Sequence, residues 1–168
     1  KKLIRIRPRR KTSSGALVKT KTGSRSNLTM TPFHTKVAST SPTADLITRI
    51  RNGNMRRKDF VICRTSGLGK GILEALWREG FIFGYQILEN EQESKVYLKY
   101  SEGKPVIQQI RLASKPGKPL YAGVKQLKMN RKKNSFMVSI LTTPKGVLSD
   151  REAIALNQGG QVLIEVAS

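Results

Sequence analysis

The sequence holds a single cysteine, Cys63, and a single histidine, His34, among 168 residues. A lone thiol excludes an intrachain disulfide, and one Cys with one His cannot complete a structural zinc site. No stretch reaches the roughly 18 apolar residues that a transmembrane helix needs, and no apolar core follows the first lysines as a secretory signal requires. Acids are scarce: 11 Asp plus Glu stand against 32 Lys plus Arg, a net charge of +21 at pH 7. A field of that size calls for a polyanionic partner. With 38% hydrophobic residues the chain can still fill a core, as one domain or two small ones.

The charge is divided unevenly. Residues 1–40 carry 11 Lys or Arg, 12 Ser or Thr and no acid, leaving 21 bases and all 11 acids, a net of +10, to residues 41–168. The leading segment has too little apolar pattern to offset the entropy of ordering a chain, so it is expected to be disordered when free and to bind RNA phosphates through Arg5, Arg7, Arg9, Arg10 and Lys11. Its Arg- and Ser-rich, acid-free composition also suits an organellar targeting sequence. A retained RNA-binding extension is the favoured reading, and the two are compatible.

Ser41-Pro42 suits a helix start, with Leu46, Ile47 and Ile50 on one face and Gly53 placed to end the helix. Phe60 to Cys63 reads as a strand. Leu68, Ile72, Leu73, Leu76 and Trp77 then form a helical stripe, taken as core, that Gly80 caps. Phe81 to Leu88 and Lys95 to Tyr100 read as a hairpin joined by a Glu89 to Ser94 turn, with Val106 to Ala113 as the next strand. Ser114-Lys115-Pro116-Gly117-Lys118-Pro119 breaks regular structure. A short helix over Val124 to Met129, a charged loop over Asn130 to Asn134, a doubly buried strand over Phe136 to Leu141, a capping box at Ser149 and Glu152, and an alternating last strand with Val162, Ile164 and Val166 complete the pattern. The expected organisation is a basic extension (1–40), an α/β domain (41–112) and a mainly β domain (113–168).

Catalysis finds no constellation. Glu89, Glu91, Glu93 and Glu102 lie in turns without His or Cys nearby, so the reading is no enzyme, no metal and no cofactor. Gly67-Leu68-Gly69-Lys70-Gly71 has the look of a phosphate loop, yet Arg64 and Gly71 stand where a nucleotide-hydrolysing loop needs Gly and a magnesium-binding hydroxyl. The helix start at Lys70 remains suited to an RNA phosphate. Two turns are more informative. Thr142-Thr143-Pro144-Lys145-Gly146 combines hydroxyls, a cation and a close-approach glycine, which suits the shallow minor groove of RNA. Ser114-Lys115-Pro116-Gly117-Lys118 has the same ingredients, with Tyr121 downstream.

At these residues the chain resembles the ribosomal small-subunit protein eight family. Ile140-Leu141-Thr142-Thr143-Pro144-Lys145-Gly146-Val147-Leu148-Ser149-Asp150 is similar to its signature, and Ala44 to Gly53, Glu79-Gly80-Phe81-Ile82, Ser114 to Gly117 and Gly159 to Leu163 follow in family order. The resemblance covers about 41 to 168. It implies an α+β fold in two parts, an α-β-α-β-β N-terminal half and a mainly β C-terminal half, here preceded by the basic extended tail. It implies a non-catalytic constituent of the small ribosomal subunit that binds the central domain of small-subunit ribosomal RNA and supports assembly. Carried over by position, Thr142, Thr143, Lys145 and Gly146 form one RNA contact and Ser114, Lys115, Gly117, Lys118 and Tyr121 a second. Thr48, Arg51 and Asn52 add contacts from the first helix and Ser66 from the start of the second, where the family's basic residue falls at Gly67, which shifts that contact to Arg64 or Lys70.

The chain departs from the family pattern at several points. Pro144 replaces a hydroxyl in the signature turn, removing an amide donor as well. Asn134-Ser135-Phe136, after Arg131-Lys132-Lys133, replaces the usual Gly-Leu-Gly. The tail and these drifts suit an organellar ribosome, mitochondrial in preference to plastid or bacterial. Ribosomal RNA and neighbouring ribosomal proteins are the expected partners, with no membrane, no small-molecule substrate and no homo-oligomer. A general RNA chaperone and an RNA-processing enzyme are the rival readings.

Overall fold

The computed structural model describes residues 41–88, 92–115 and 117–168. The expected contacts at Arg5, Arg7, Arg9, Arg10 and Lys11 lie outside the described residues.

Helix α1, Pro42–Met55, starts from an extended Ser41 with Pro42 at the first helical position, where a missing amide costs nothing. Leu46, Ile47 and Ile50 form its buried stripe. Gly53 does not end the helix as expected. A Cβ at Gly53 would collide with Val61 and Leu98 side chains, so this glycine lets α1 press close to the sheet. That sheet comprises β1 (Phe60–Arg64), β2 (Ile82–Ile87) and β3 (Glu93–Leu98), in the order β1-β3-β2 and antiparallel throughout. The β2–β3 hairpin is as the alternation predicts, although β3 begins at Glu93, inside the stretch expected to turn.

Between β1 and β2 runs α2, Gly67–Arg78. Gly80, at φ +78°, ends it: its N–H donates to Trp77 O (3.0 Å) and that of Phe81 to Leu76 O (2.9 Å), the paired bonds of a left-handed helix stop. Ile72, Leu73 and Leu76 are wholly buried, but Trp77, expected in the core, is 40% exposed and Leu68 39%. The buried stripe is therefore narrower than its spacing suggests.

A small ladder, β4 (Tyr100–Ser101) with β5 (Lys104–Pro105), turns the chain toward the second sheet. There β6 (Gln109–Leu112), β7 (Tyr121–Ala122), β8 (Met137–Thr143), β9 (Gly146–Ser149) and β10 (Gly160–Ala167) assemble as β6-β10-β8-β9, with β7 also paired to β10. Thus β6, which lies within 41–112 in sequence, is an edge strand of the later sheet. Two helices accompany this sheet: α3 (Val124–Lys133) and α4 (Asp150–Ala155). The capping box forms as the spacing predicts, Ser149 Oγ accepting from Glu152 N–H (3.3 Å) and Glu152 Oε2 accepting from Ser149 N–H (3.0 Å).

The α-β-α-β-β opening and the mainly β remainder make an α+β fold. One core contains Leu46, Ile50, Ile72, Leu73 and Leu76 with Ile140, Ile164 and Val166. A smaller one gathers Ala122, Leu127, Leu141, Leu148, Ala153 and Val162. Ile140 and Leu141 therefore serve opposite faces, so β8 is buried on both as expected, although Phe136, expected within it, precedes the strand and is exposed. A register shift between Val162 and Ile164 sends Val162 to the smaller core and both Leu163 and Ile164 to the larger one.

Candidate nucleic-acid interface

The signature turn is a two-residue hairpin. Thr143 pairs with Gly146 and Thr142 with Val147, leaving Pro144 and Lys145 at the tip. Gly146 sits at φ +109°, a conformation that favours glycine. Thr143 Oγ1 donates to Gly146 O (2.9 Å) and accepts from Lys145 N–H (3.2 Å). Its one proton is spent on shaping the turn, and one acceptor lone pair remains. Thr142 is half-buried beside it, and Lys145 is exposed.

The second turn reaches the same end of the sheet. Lys115 and Lys118 exchange backbone hydrogen bonds (3.3 and 3.0 Å) and both side chains are exposed, with Gly117 at φ +82°. Ser114, expected to touch RNA, is instead buried: its hydroxyl donates to Val162 O (2.5 Å) and accepts from Leu120 N–H (2.9 Å). It fastens the turn to β10. Tyr121 stands opposite Gln161, which stands opposite Thr142, so Tyr121, Gln161 and Thr142 form one row across β7, β10 and β8. Tyr121 is 66% exposed. Gln161 was not singled out in the sequence, where it reads as one more position of an alternating strand.

Two helix starts converge here. A hollow of about 220 Å³ is lined by Ser41 and Thr43 of the α1 start, Leu68 of α2, and Ser114, Lys115 and Gln161. Gly71 of α2 lies so close to Val147 that a Cβ would come within 2.7 Å of its Cγ2, while Arg78 donates to Val147 O (3.1 Å) and pairs with Glu152 (3.1 Å). The hairpin therefore rests on α2. Ser66 accepts from Gly69 N–H (3.2 Å) as the α2 N-cap, and Lys70 is half-buried one residue beyond. Arg64 is exposed at the end of β1, in register with Glu93.

The α1 contacts do not join this cluster as expected. Thr48 Oγ1 donates back to Ala44 O (2.8 Å), and the Arg51 guanidinium donates to Ile110 O (3.2 and 2.5 Å), tying α1 to β6. Asn52 is exposed and borders a separate hollow with Arg49, Arg56, Lys58 and Phe60. Arg51 has a structural task because β6 is a sheet edge whose outward carbonyl needs a donor.

Residues Arg131, Lys132 and Lys133, expected in a loop, form the last turn of α3. The helix has no glycine or proline to stop it before Asn134, and cations suit a helix C-terminus. Lys125 and Lys128 belong to the same helix, whose only buried residue is Leu127. Like charges three or four residues apart on a helix cost about 0.2–0.5 kcal/mol per pair. The only group here that burial visibly affects is Asp150: desolvation raises its carboxyl pKa, while Arg131 and a hydrogen bond from Arg151 N–H act in the opposite sense.

Among the described residues no group of three or more His, Cys, Asp or Glu could hold a metal ion, and no helix is long and apolar enough to cross a membrane. Cys63 is buried, its thiol pushed up to about 12 chiefly by desolvation, so it stays protonated at neutral pH. What the geometry presents is a cationic, hydroxyl-bearing rim built from two tight turns and two helix starts on a rigid α+β body.

The model of the family described as Ribosomal protein S8 matches residues 41–167. The chain is 46% identical over 132 residues to the small ribosomal subunit protein uS8 of Rhizorhabdus wittichii, covering 77% of this chain and 99% of that one. It is 45% identical over 132 residues to that of Erythrobacter litoralis, with the same coverage. With the uS8 protein of Rhodopseudomonas palustris it shares 46% over 128 residues, 74% and 96% of the two chains. The chain belongs to the ribosomal protein S8 family, whose members are non-enzymatic structural proteins of the small ribosomal subunit.

Proposed function

We propose that the chain binds the central domain of small-subunit ribosomal RNA and supports its folding during subunit assembly, with neighbouring ribosomal proteins as its other partners. The observation that carries this reading is the convergence of both turns on one row of the second sheet, Tyr121, Gln161 and Thr142. Lys115, Lys118 and Lys145 flank that row as exposed cations. Phosphate contacts from such lysines set position and affinity. Thr142, Gln161 and the phenol of Tyr121 offer the small donors and acceptors that read ribose hydroxyls and base edges in a shallow minor groove. Thr143, Gly146, Gly117 and Ser114 act one step back, by holding the turns. Arg64, Ser66 and Lys70 border the face. Thr48, Arg51 and Asn52 contribute only where RNA extends along α1.

The test is an anisotropy titration of the full chain against a central-domain ribosomal RNA fragment and a length-matched unrelated hairpin, at two salt concentrations. Preference for the fragment should survive the higher salt, and Thr142→Val should reduce that preference by about 1–3 kcal/mol, the scale of a polar base contact. Equal binding of both RNAs by the unmodified chain refutes the reading.

The compartment we propose is the mitochondrial matrix. Supporting it is a segment, residues 1–40, that carries 11 bases and no acid and lies ahead of the 41–167 family match. The same segment serves as an RNA-binding extension, followed by the 41–112 and 113–168 parts. Cosedimentation of the chain with small subunits from purified mitochondria is expected; sedimentation only with plastid or cytosolic subunits overturns the assignment.

A further inference from the structure

We propose that α3 is an RNA-tracking helix that carries the binding face from the two turns along the flank of the second sheet, with Lys125, Lys128 and Lys132 taking successive phosphates of one strand. The proposal rests on the RNA-binding reading above and adds a site that lies outside the two turns.

Placement comes first. Helix α3 follows β7, whose Ala122 pairs with Gly160 at the turn end of the sheet. It leads into β8, whose Met137 pairs with Ala167 at the opposite end. Together with residues 134–136, the helix carries the chain from the Tyr121 end of the sheet to its opposite end. Lys125, Lys128 and Lys132, three and four residues apart, share one helix face. At about 1.5 Å rise per residue they are about 4.5 and 6 Å apart along the axis, a ladder on the scale of neighbouring phosphates. Leu127 and Arg131, four apart, share the other face: Leu127 is in the smaller core, and the charge of Arg131 reaches Asp150.

Charge balance then identifies the occupant. Lys132 has a helical reason to be where it is, since cations suit a helix C-terminus. Lys125 and Lys128 have none. Lys125 stands in the first turn of α3, where the helix dipole repels it and where there is no acid and no side-chain cap, and Lys128 lies mid-helix, short of the C-terminal turn. Among the described residues no ion pair involves Lys125, Lys128 or Lys132. A helix held by one buried leucine, with like charges stacked along its open face, is complete only when a polyanion lies against it. An acidic protein surface is the competing occupant. Regular cation spacing continuous with Lys115, Lys118 and Tyr121 favours the sugar-phosphate strand.

The experiment compares the full chain with a triple variant, Lys125→Gln, Lys128→Gln and Lys132→Gln, and with a charge-matched control, Arg56→Gln, Lys58→Gln and Lys104→Gln. Affinity for the central-domain fragment and for the unrelated hairpin is followed from about 50 to 200 mM salt. Loss of three phosphate contacts should lower the log–log salt slope by about 2–3, so that the α3 variant loses about 20- to 40-fold less affinity across this range. The control should keep the parental slope, and a Lys→Arg triple at the α3 positions should restore it. Circular dichroism verifies that each variant is folded. An unchanged slope in the α3 variant overturns the proposal, as does an equal drop in the control, which would mean a diffuse field instead of a track. If the parental chain shows no RNA preference while the α3 slope still falls, the ribosomal RNA reading fails and the helix proposal stands.

Discussion

At Ser114 and Thr143 a hydroxyl near the face is used by the fold itself. Ser114 Oγ joins Val162 O to Leu120 N–H across 2.5 and 2.9 Å, and removing it strands the carbonyl in a buried setting and the amide in a partly buried one. Ser114→Ala is therefore expected to lower stability by about 1–3 kcal/mol, read from the urea midpoint. At a temperature where the variant is fully folded, its RNA affinity should match that of the parent. A folded variant that loses affinity would mean that the hydroxyl touches RNA after all. Thr142 has the opposite profile, because no hydrogen bond ties its hydroxyl to the turn, so its replacement should cost discrimination without stability. Two hydroxyls of similar appearance in sequence thus differ in kind, and only their partners separate them.

Among the elements, what the sequence disclosed was whatever local rules decide. The stop at Gly80 and the capping box at Ser149 depend on residues within a few positions of one another and formed where expected, and the β2–β3 hairpin formed with its second strand starting two residues early. Features decided by distant partners were hidden. Gly53 has the signature of a helix terminator, but its meaning lies in Val61 and Leu98, brought to it by the sheet. The run from Asn130 to Lys133 reads as loop because its apolar content is slight, yet Leu127 alone anchors the helix that contains it. Arg51 and Ser114 have the composition of RNA contacts and are consumed by carbonyls of β6 and β10. The signature turn was legible as a turn at a strand end, and pairing shows it to be a two-residue hairpin. Gln161 was not, because its role comes from register: only pairing puts it between Tyr121 and Thr142.

For the whole molecule, the division of charge separates affinity from selectivity. The body, residues 41–168, has a net charge of +10 and carries the paired turns, whereas residues 1–40 carry 11 cations without a single acid. If those cations meet phosphates, each releases counterions and steepens the salt dependence by about 0.7–0.9. Phosphate contacts carry no base readout of the kind proposed for the turns. Deleting residues 1–40 should then flatten the salt slope, by at most about 8–10 if all 11 cations are engaged, and weaken binding to every RNA alike. The ratio of affinities for the central-domain fragment and the unrelated hairpin should stay as it was, because the Tyr121, Gln161 and Thr142 row is untouched. An unchanged slope would show that the segment does not contact phosphates. A collapse of the ratio would move selectivity into the tail and away from the turns. Preserved selectivity with a shallower slope is the expected outcome if the extension supplies charge and the sheet end supplies shape, as proposed.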